Sequence, residues 1–332
     1  MVVLVHVSTQ KWYIADPNTI QWKIYNMYDS SVRSSVSLFI MLSGALFLNK
    51  KELSIKKLFK KNIWKLLVIY CVWALLYGID SLGAAESIKP GNLFSLFQQI
   101  VYPKYHLWYL PSLIGIYFLI PLFWALAQFK EKKYLEYGCI MFVLFGILRS
   151  TFSAIFESHE TINAILNLIP YELCGLSGYF ILGYTLVKYK GLFTKIKLRY
   201  LLPVLLAAII ITAKVEEYKA VNFGDLRGVY YANSALPTFL EAIIIFGIFL
   251  KIPSKIENRR ISDIVTKISR KTLFIYLVHV FILEHLESWF GISAAMFNAW
   301  ISVPVISIIV FIISIFLAGV VEKIPVAGKW MM

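Results

Sequence analysis

Strongly polar stretches are what this sequence has least of. Only 16% of its 332 residues are charged, while 59% are hydrophobic. A soluble domain of this length would carry about a quarter charged residues, so a soluble globular protein is excluded. No long hydrophilic segment interrupts the chain, which leaves no room for a separate soluble domain. A single domain over residues 1–332 is therefore expected.

Cysteines and the familiar catalytic motifs are also scarce. The three cysteines, Cys71, Cys139 and Cys174, lie in apolar runs without CxxC spacing, which favours packing over redox or metal binding. GxSxG and P-loop sequences are absent. His279 and His285 are six residues apart and do not share a helix face, so we expect no metal site.

Long apolar runs are what the sequence does contain, and its mean hydropathy is +0.71. Lipid offers no hydrogen-bond partner to backbone N–H and C=O groups, so each spanning segment must satisfy its own. These runs therefore predict an all-α, polytopic transmembrane helix bundle. The nine runs cover residues 32–48, 62–79, 107–127, 135–153, 171–187, 199–213, 235–250, 272–290 and 299–321.

A tenth run is visible only as the stub "MVVLVHV" at the start. Seven helical residues rise about 10 Å, a third of the hydrocarbon core. The stub is therefore expected either to be re-entrant or to be the end of a helix that begins upstream. In the second case the bundle has about ten helices, with the first truncated at its N-terminus.

The loop charges predict the orientation. Loops on one side, together with the C-terminal tail, carry 23 Lys and Arg residues. The loops on the opposite side, which alternate with them along the chain, carry eight. The positive-inside rule places the basic side and the C-terminus in the cytoplasm of a multi-pass cell-membrane protein. It also explains the net charge of +14 without a nucleic-acid partner.

Histidines at the apolar runs are the first candidates for chemistry. An ionisable group in the membrane is costly, and histidine is the usual general base near neutral pH. His6 lies in the stub, and His106 opens the run "HLWYLPSLIGIYFLIPLF" beside Trp108 and Tyr109. His279 follows Tyr276 in "FIYLVH". Interfacial anchoring and core packing remain open as alternatives.

Cations at the ends of two runs form the second group of candidates. Arg33 stands four residues after Asp29, where an i,i+4 ion pair can form. Lys65 lies one turn inside its run, near Lys60 and Lys61, and such a cluster suits an anionic cytoplasmic ligand. Snorkelling to the interface is the alternative for Arg33 and Lys65.

Taken in order, six segments resemble integral-membrane acyltransferase family 3, and most closely its surface-polysaccharide O-acetyltransferase branch. They are "VVLVHVS", Arg33 with "SSVSLFIMLSGALFL", "KNIWKLLVIYCVWALLY", "HLWYLPSLIGIYFLIPLF", "SGYFILGYTL", and Ser269 with "FIYLVH". The sequence departs from the family pattern at three positions. The family's pair of basic residues is Asn62 and Lys65 here, so only Lys65 is basic, and Ser37 and Val68 stand where the family has prolines. The family's acidic residue and arginine before the histidine would precede Met1.

The resemblance implies acyl transfer across the membrane. Acetyl-CoA would be the cytoplasmic acyl donor, with no metal, and the acceptor would be a hydroxyl of a cell-surface glycan or lipid-linked sugar. His6 would act as the catalytic general base, and Lys60, Lys61 and Lys65 would bind the donor's phosphates. Substrate-binding roles would fall to Arg33, His106, Trp108, Tyr109, Tyr276 and His279. Membrane lipid would surround the bundle.

Two other functions remain open. A transporter or flippase for a polar envelope precursor would also place ionisable residues along a membrane path. An inactive, N-terminally truncated acyltransferase would insert stably without turnover.

Overall fold

A computed structural model describes residues 1–83, 90–129, 131–168, 175–252, 258–325 and 328, with the side chains of 90–93 and 192 left out. Within these ranges the regular structure is helical, without a strand, so the predicted all-α class is confirmed. Cys174 and the beginning of the predicted run 171–187 lie outside the described residues.

The helices are α1 (Val2–Trp12), α2 (Ile20–Ser30), α3 (Ser35–Leu48), α4 (Ile55–Leu82), α5 (Pro90–Val101), α6 (Tyr105–Gln128), α7 (Lys132–Ile155), α8 (Glu160–Asn167), α9 (Ser177–Lys188), α10 (Lys190–Thr194), α11 (Leu198–Phe223), α12 (Leu236–Phe249), α13 (Arg259–Phe290) and α14 (Ala299–Val321). Two of them contain wider π-helical segments, Leu58–Ile63 in α4 and Phe142–Leu148 in α7.

Eight segments of the described chain are long and apolar enough to cross a membrane. They are α2 with α3, then α4, α6, α7, α11, α12 with the turn before it, α13 and α14. The polytopic membrane bundle is thereby confirmed. By themselves α1, with 11 residues, and α9, with 12, are shorter than the roughly 20 residues that a span needs.

Several helices extend beyond the apolar runs, where the sequence predicted loops. The run 199–213 lies inside α11, which continues to Phe223. Lys214 and Glu217 pair at 2.7 Å on this extension, and Gly224, at φ 62°, ends the helix. The run 272–290 belongs to α13, which starts at Arg259 because the Asn258 side chain caps its first turn. Hydropathy therefore located the apolar part of these helices but not the residues at which they begin and end.

The chain divides into two compact units, and each is described by itself. The first contains residues 1–51, 122–255 and 293–306. In this unit α3 and α9 cross closely at two glycines. A Cβ on Gly44 would meet the backbone oxygen of Phe180 at 1.8 Å, and one on Gly183 would meet that of Met41 at 2.0 Å. Small residues are what allow helix backbones to approach this closely in membranes.

The second unit contains residues 52–121, 256–292 and 307–332. Here α4 is joined to α5 by Tyr70, whose hydroxyl donates to the Ile100 carbonyl at 2.5 Å. It is joined to α13 by Tyr77, whose hydroxyl donates to the Leu277 carbonyl at 2.8 Å. The single domain over 1–332 stays a prediction.

Candidate functional site

A histidine–tyrosine cluster occupies the second unit, where α4, the first turn of α6 and α13 meet. It comprises Tyr77, His106, Tyr109, Tyr276 and His279. The ring centres of His106 and His279 are 5.5 Å apart, and those of Tyr77 and His106 are 5.0 Å apart. The Tyr276 hydroxyl donates to the backbone carbonyl of His106, which fixes the start of α6 against α13.

The histidine–tyrosine cluster brings together four of the predicted substrate-binding residues. His106 and His279 are 2% and 0% exposed, and Tyr109 and Tyr276 are also buried. The ring of Tyr109 meets that of Tyr276 edge to face, at 5.5 Å. Trp108 instead leaves 41% of its surface exposed, as expected of a membrane-interface or ligand-facing aromatic ring.

Helix α13 itself determines the tautomer of His279. Its Nδ1 lies 2.6 Å from the Tyr276 carbonyl oxygen, three residues earlier. A carbonyl oxygen only accepts hydrogen bonds, so Nδ1 carries the proton. In the neutral ring the lone pair is therefore on Nε2, which makes Nε2 the nitrogen able to accept a proton or a hydroxyl hydrogen bond.

A second histidine on α13 lies in an ionic setting that the sequence reading did not find. His285 places Nε2 3.1 Å from an Asp80 oxygen and Nδ1 2.8 Å from the Phe281 carbonyl oxygen. The two contacts hold the His285 ring between the Asp80 side chain of α4 and the backbone of its own helix. Lys104 and Glu284 form a further ion pair in this unit, at 2.8 Å.

Arg33 is held in a buried polar cluster of the first unit. It forms an ion pair with Asp29, which is fully buried, and its guanidinium lies 4.5 Å from the centre of the Tyr231 ring. The Tyr231 hydroxyl donates to the side-chain oxygen of Asn26. The Arg33 Nε atom has no hydrogen-bond partner within the described part of the chain. Arg33 is therefore positioned by its neighbours and retains one donor.

Two buried carboxylates accompany the Arg33 cluster. Glu241 on α12 is 2% exposed, lies beside Ser34, and is within electrostatic reach of Arg33. Glu216 on α11 is 1% exposed and accepts from the Tyr230 backbone N–H at 2.6 Å. One oxygen of each carboxylate lacks a hydrogen-bond partner among the described residues. Buried acids of this kind in a membrane protein are functional candidates.

His6, the predicted general base, lies on α1 in the first unit and is partly exposed. Its helix is fixed at the far end by Trp12, which stacks on Trp22 with ring centres 5.5 Å apart. The Trp12 indole N–H also donates to the side-chain oxygen of Asn26, at 2.9 Å. Asn26 thus connects the helix that carries His6 to the Arg33 cluster.

The three predicted donor-binding lysines lie on α4. Lys60 and Lys61 are exposed in its π-helical segment, and Lys65 is half-buried one turn further along. Lys61 is close enough to Lys65 to repel its charge. Like charges four residues apart destabilise a helix, and a bound anion would relieve that repulsion.

Some of these residues had a readable signal in the sequence and others had none. Glu241 is an acid inside the apolar run 235–250, which by itself marks a candidate, and the sequence reading passed over it. Glu216 follows the apolar run 199–213, so hydropathy alone places it in a loop. Tyr77 is one of 20 tyrosines and becomes distinctive only through its contacts with α13. Within the described ranges, no group of three His, Cys, Asp or Glu side chains could hold a metal ion.

Comparison with known families agrees with this picture. The model of acyltransferase family 3, described as an acyltransferase domain, matches residues 1–319. The match covers nearly the whole chain, so the chain belongs to this family and is a membrane acyltransferase. No curated protein and no solved structure matches it.

Proposed function

We propose that this acyltransferase moves an acetyl or other short acyl group from cytoplasmic acetyl-CoA to a hydroxyl of an extracytoplasmic cell-surface glycan or lipid-linked sugar. It would act as an O-acetyltransferase in the cell membrane, with its C-terminus in the cytoplasm. The family match over residues 1–319 carries the proposal. The ordered motifs shared with the polysaccharide O-acetyltransferase branch support the choice of acceptor.

His6 is the proposed general base. It takes the proton of the acceptor hydroxyl as that oxygen attacks the thioester carbonyl carbon. The carbon–sulfur bond breaks, and the coenzyme A thiolate leaves and is protonated to the free thiol. Arg33, whose Nε has no hydrogen-bond partner among the described residues, would orient the acceptor or stabilise the developing oxyanion.

Donor binding is assigned to Lys60, Lys61 and Lys65. The phosphates of coenzyme A are the anions that this cluster suits, because they neutralise the repulsion between Lys61 and Lys65. The π-helical segment supports this role, since such widened turns are frequent at functional sites.

Acceptor binding is assigned to the histidine–tyrosine cluster together with Trp108. The Nε2 atom of His279 would accept a hydrogen bond from a sugar hydroxyl. The exposed Trp108 ring would pack against a sugar face, where an aromatic ring offers apolar area with little entropy cost.

The experiment is transfer of labelled acetyl from acetyl-CoA to cell-envelope glycan in membranes that contain this protein. His6→Ala should abolish transfer while the protein still inserts and purifies as a folded species. His159→Ala, which changes an exposed histidine at the start of α8, is the matched control and should transfer normally. Full transfer by His6→Ala would remove His6 from the mechanism.

A transporter or flippase is the second candidate, favoured by the buried carboxylates Glu216 and Glu241. The same labelling experiment separates the two functions, because a transporter leaves no acetyl on the glycan. Movement of a polar precursor into vesicles, without a covalent product, would replace the acyltransferase proposal.

A further inference from the structure

A tyrosine of the first unit, Tyr231, lies against the guanidinium of Arg33. The guanidinium carbon is 4.5 Å from the centre of the Tyr231 ring, within the roughly 6 Å at which an aromatic face attracts a cation. A second contact comes from Asp29, which forms an ion pair with the Arg33 Nη2. The planar guanidinium is thus held by a ring face and by a carboxylate.

Exposure separates Arg33 from the residues that hold it. The Arg33 side chain keeps 20% of its surface exposed, whereas the Asp29 side chain keeps 0% and Tyr231 is 3% exposed. A ligand can therefore contact Arg33 but not the two groups that hold it. A binding group supported by buried neighbours keeps a defined geometry.

The Tyr231 ring is itself fixed at its hydroxyl by Asn26. The hydroxyl donates to the Asn26 Oδ1, which also accepts from the Trp12 indole N–H at 2.9 Å. The Asn26 Nδ2 donates to the Ala213 carbonyl at 2.7 Å, so the surrounding groups determine the orientation of the amide. Asn26 and Trp12 are buried, so these hydrogen bonds form where the local dielectric is low and each is strong.

The backbone around Tyr231 is fastened as well. The N–H of Tyr230 donates to Glu216 on α11 at 2.6 Å, and the N–H of Tyr231 donates to the Gly228 carbonyl at 3.0 Å. Tyr231 is therefore fixed both at its main chain and at its hydroxyl by the fold alone. A group that is fixed in advance loses less freedom when a ligand binds.

We propose that Tyr231 is a positioning residue for acyl transfer, which holds the Arg33 guanidinium in the orientation that it uses on the acceptor or on the developing oxyanion. The inference rests on the proposed function, because buried Tyr231 acts only through the role assigned to Arg33. A charge that is already in place needs no reorganisation as the transition state forms.

The test weakens the contact in two degrees. Tyr231→Leu removes the aromatic face, whereas Tyr231→Phe keeps the face and loses only the hydroxyl that anchors it. Tyr230→Leu is the matched control, because it removes the neighbouring ring, which lies 5.6 Å from the Lys219 ammonium. Acetyl transfer would be measured for each variant on folded, detergent-purified protein.

We expect kcat/KM for transfer to fall by about tenfold in Tyr231→Leu, because the cation–π contact is lost. In Tyr231→Phe it should fall by about threefold, because the ring remains but one buried hydrogen bond is lost. Tyr230→Leu should transfer normally. Normal transfer by a folded Tyr231→Leu enzyme would overturn the inference, and if that variant does not fold, normal transfer by Tyr231→Phe would do so.

A double-mutant cycle separates positioning from a merely structural role. Arg33→Lys keeps a positive charge beside Asp29 but loses the planar guanidinium. Adding Tyr231→Leu or Tyr231→Phe to Arg33→Lys should change kcat/KM by less than about twofold, because the group that the ring positions is gone. A loss as large as in the Arg33 enzyme would show that Tyr231 acts without Arg33, and would overturn the inference.

An NMR spectrum of protein labelled at its arginines distinguishes failure of the inference from failure of the proposed function. The Arg33 Nε–H signal, identified by its loss in Arg33→Lys, should shift in Tyr231→Leu because the ring beside the guanidinium is gone. That shift, with no acetyl transfer by the wild type, would retain Tyr231 as the residue that positions Arg33 and reject the O-acetyltransferase. An unshifted signal would overturn the inference and leave acyl transfer intact.

Discussion

The imidazole of His279 is fixed by Tyr276, whose backbone carbonyl oxygen lies 2.6 Å from Nδ1. The contact is made within a single helix, so it does not depend on a ligand. It leaves Nε2 as the accepting nitrogen of the neutral ring, inside the buried histidine–tyrosine cluster.

The first prediction concerns that nitrogen. His279→Leu keeps much of the side-chain volume but removes the acceptor, so kcat/KM for acetyl transfer should fall by about tenfold or more. His279→Gln, whose amide reaches near the Nε2 position, should recover part of the loss. Steady-state transfer on equal amounts of folded protein checks both. His159→Gln serves as the exposed-histidine control, and an unimpaired His279→Leu enzyme would exclude a role in binding.

The second prediction concerns the donor. Lys65→Ala should raise the KM for acetyl-CoA by about tenfold, because a charge-assisted contact to phosphate is lost, while the KM for glycan changes much less. Added salt should raise the wild-type KM for acetyl-CoA in the same direction. Lys197→Ala, at an exposed lysine before α11, is the comparison. A larger effect on glycan than on acetyl-CoA would contradict the donor assignment.

The third prediction concerns stability at the crossing of α3 and α9. Gly44→Ala would place a Cβ 1.8 Å from the backbone oxygen of Phe180, which no side-chain rotation relieves. Thermal unfolding in detergent should show a loss of about 1–3 kcal/mol, or no folded protein. Gly115→Ala on α6 is the control, because an added Cβ there meets no described atom within 4 Å. Equal stability of the two variants would refute the close crossing.

The fourth prediction concerns pH. Hydrogen bonds from Arg227 hold the pKa of Asp225 below its ordinary value of 3.8, and that of Glu157 below 4.5. A carboxyl group with a depressed folded-state pKa stabilises the fold above its unfolded-state pKa and loses that contribution as pH falls through the folded-state value. The contribution is therefore complete at neutral pH and declines below about pH 4.

Thermal midpoints of the wild type and Arg227→Gln measure this contribution. The wild type should unfold at the higher temperature at neutral pH, and the two midpoints should converge below about pH 4. Arg199→Gln, at an exposed arginine that donates to the Tyr200 hydroxyl, should show no such convergence. A constant difference across the whole pH range would show that the carboxylates do not depend on Arg227.

The sequence by itself determined the class of fold and the family. Apolar runs long enough to cross lipid permit only helices that satisfy their own backbone, so the all-α membrane bundle followed from hydropathy. Local rules also predicted the Arg33–Asp29 pair, because residues four apart share a helix face. The ordered motifs were sufficient to predict the family that the match over residues 1–319 shows.

Only the tertiary structure decided which side chains meet. His106 and His279 are 173 positions apart in the chain, and no local rule relates them, yet their rings lie 5.5 Å apart. The same holds for Gln21, whose side-chain oxygen accepts from the Ala299 backbone N–H at the start of α14. Helix periodicity specifies neighbours three or four residues away, whereas contacts between helices depend on packing that hydropathy does not encode.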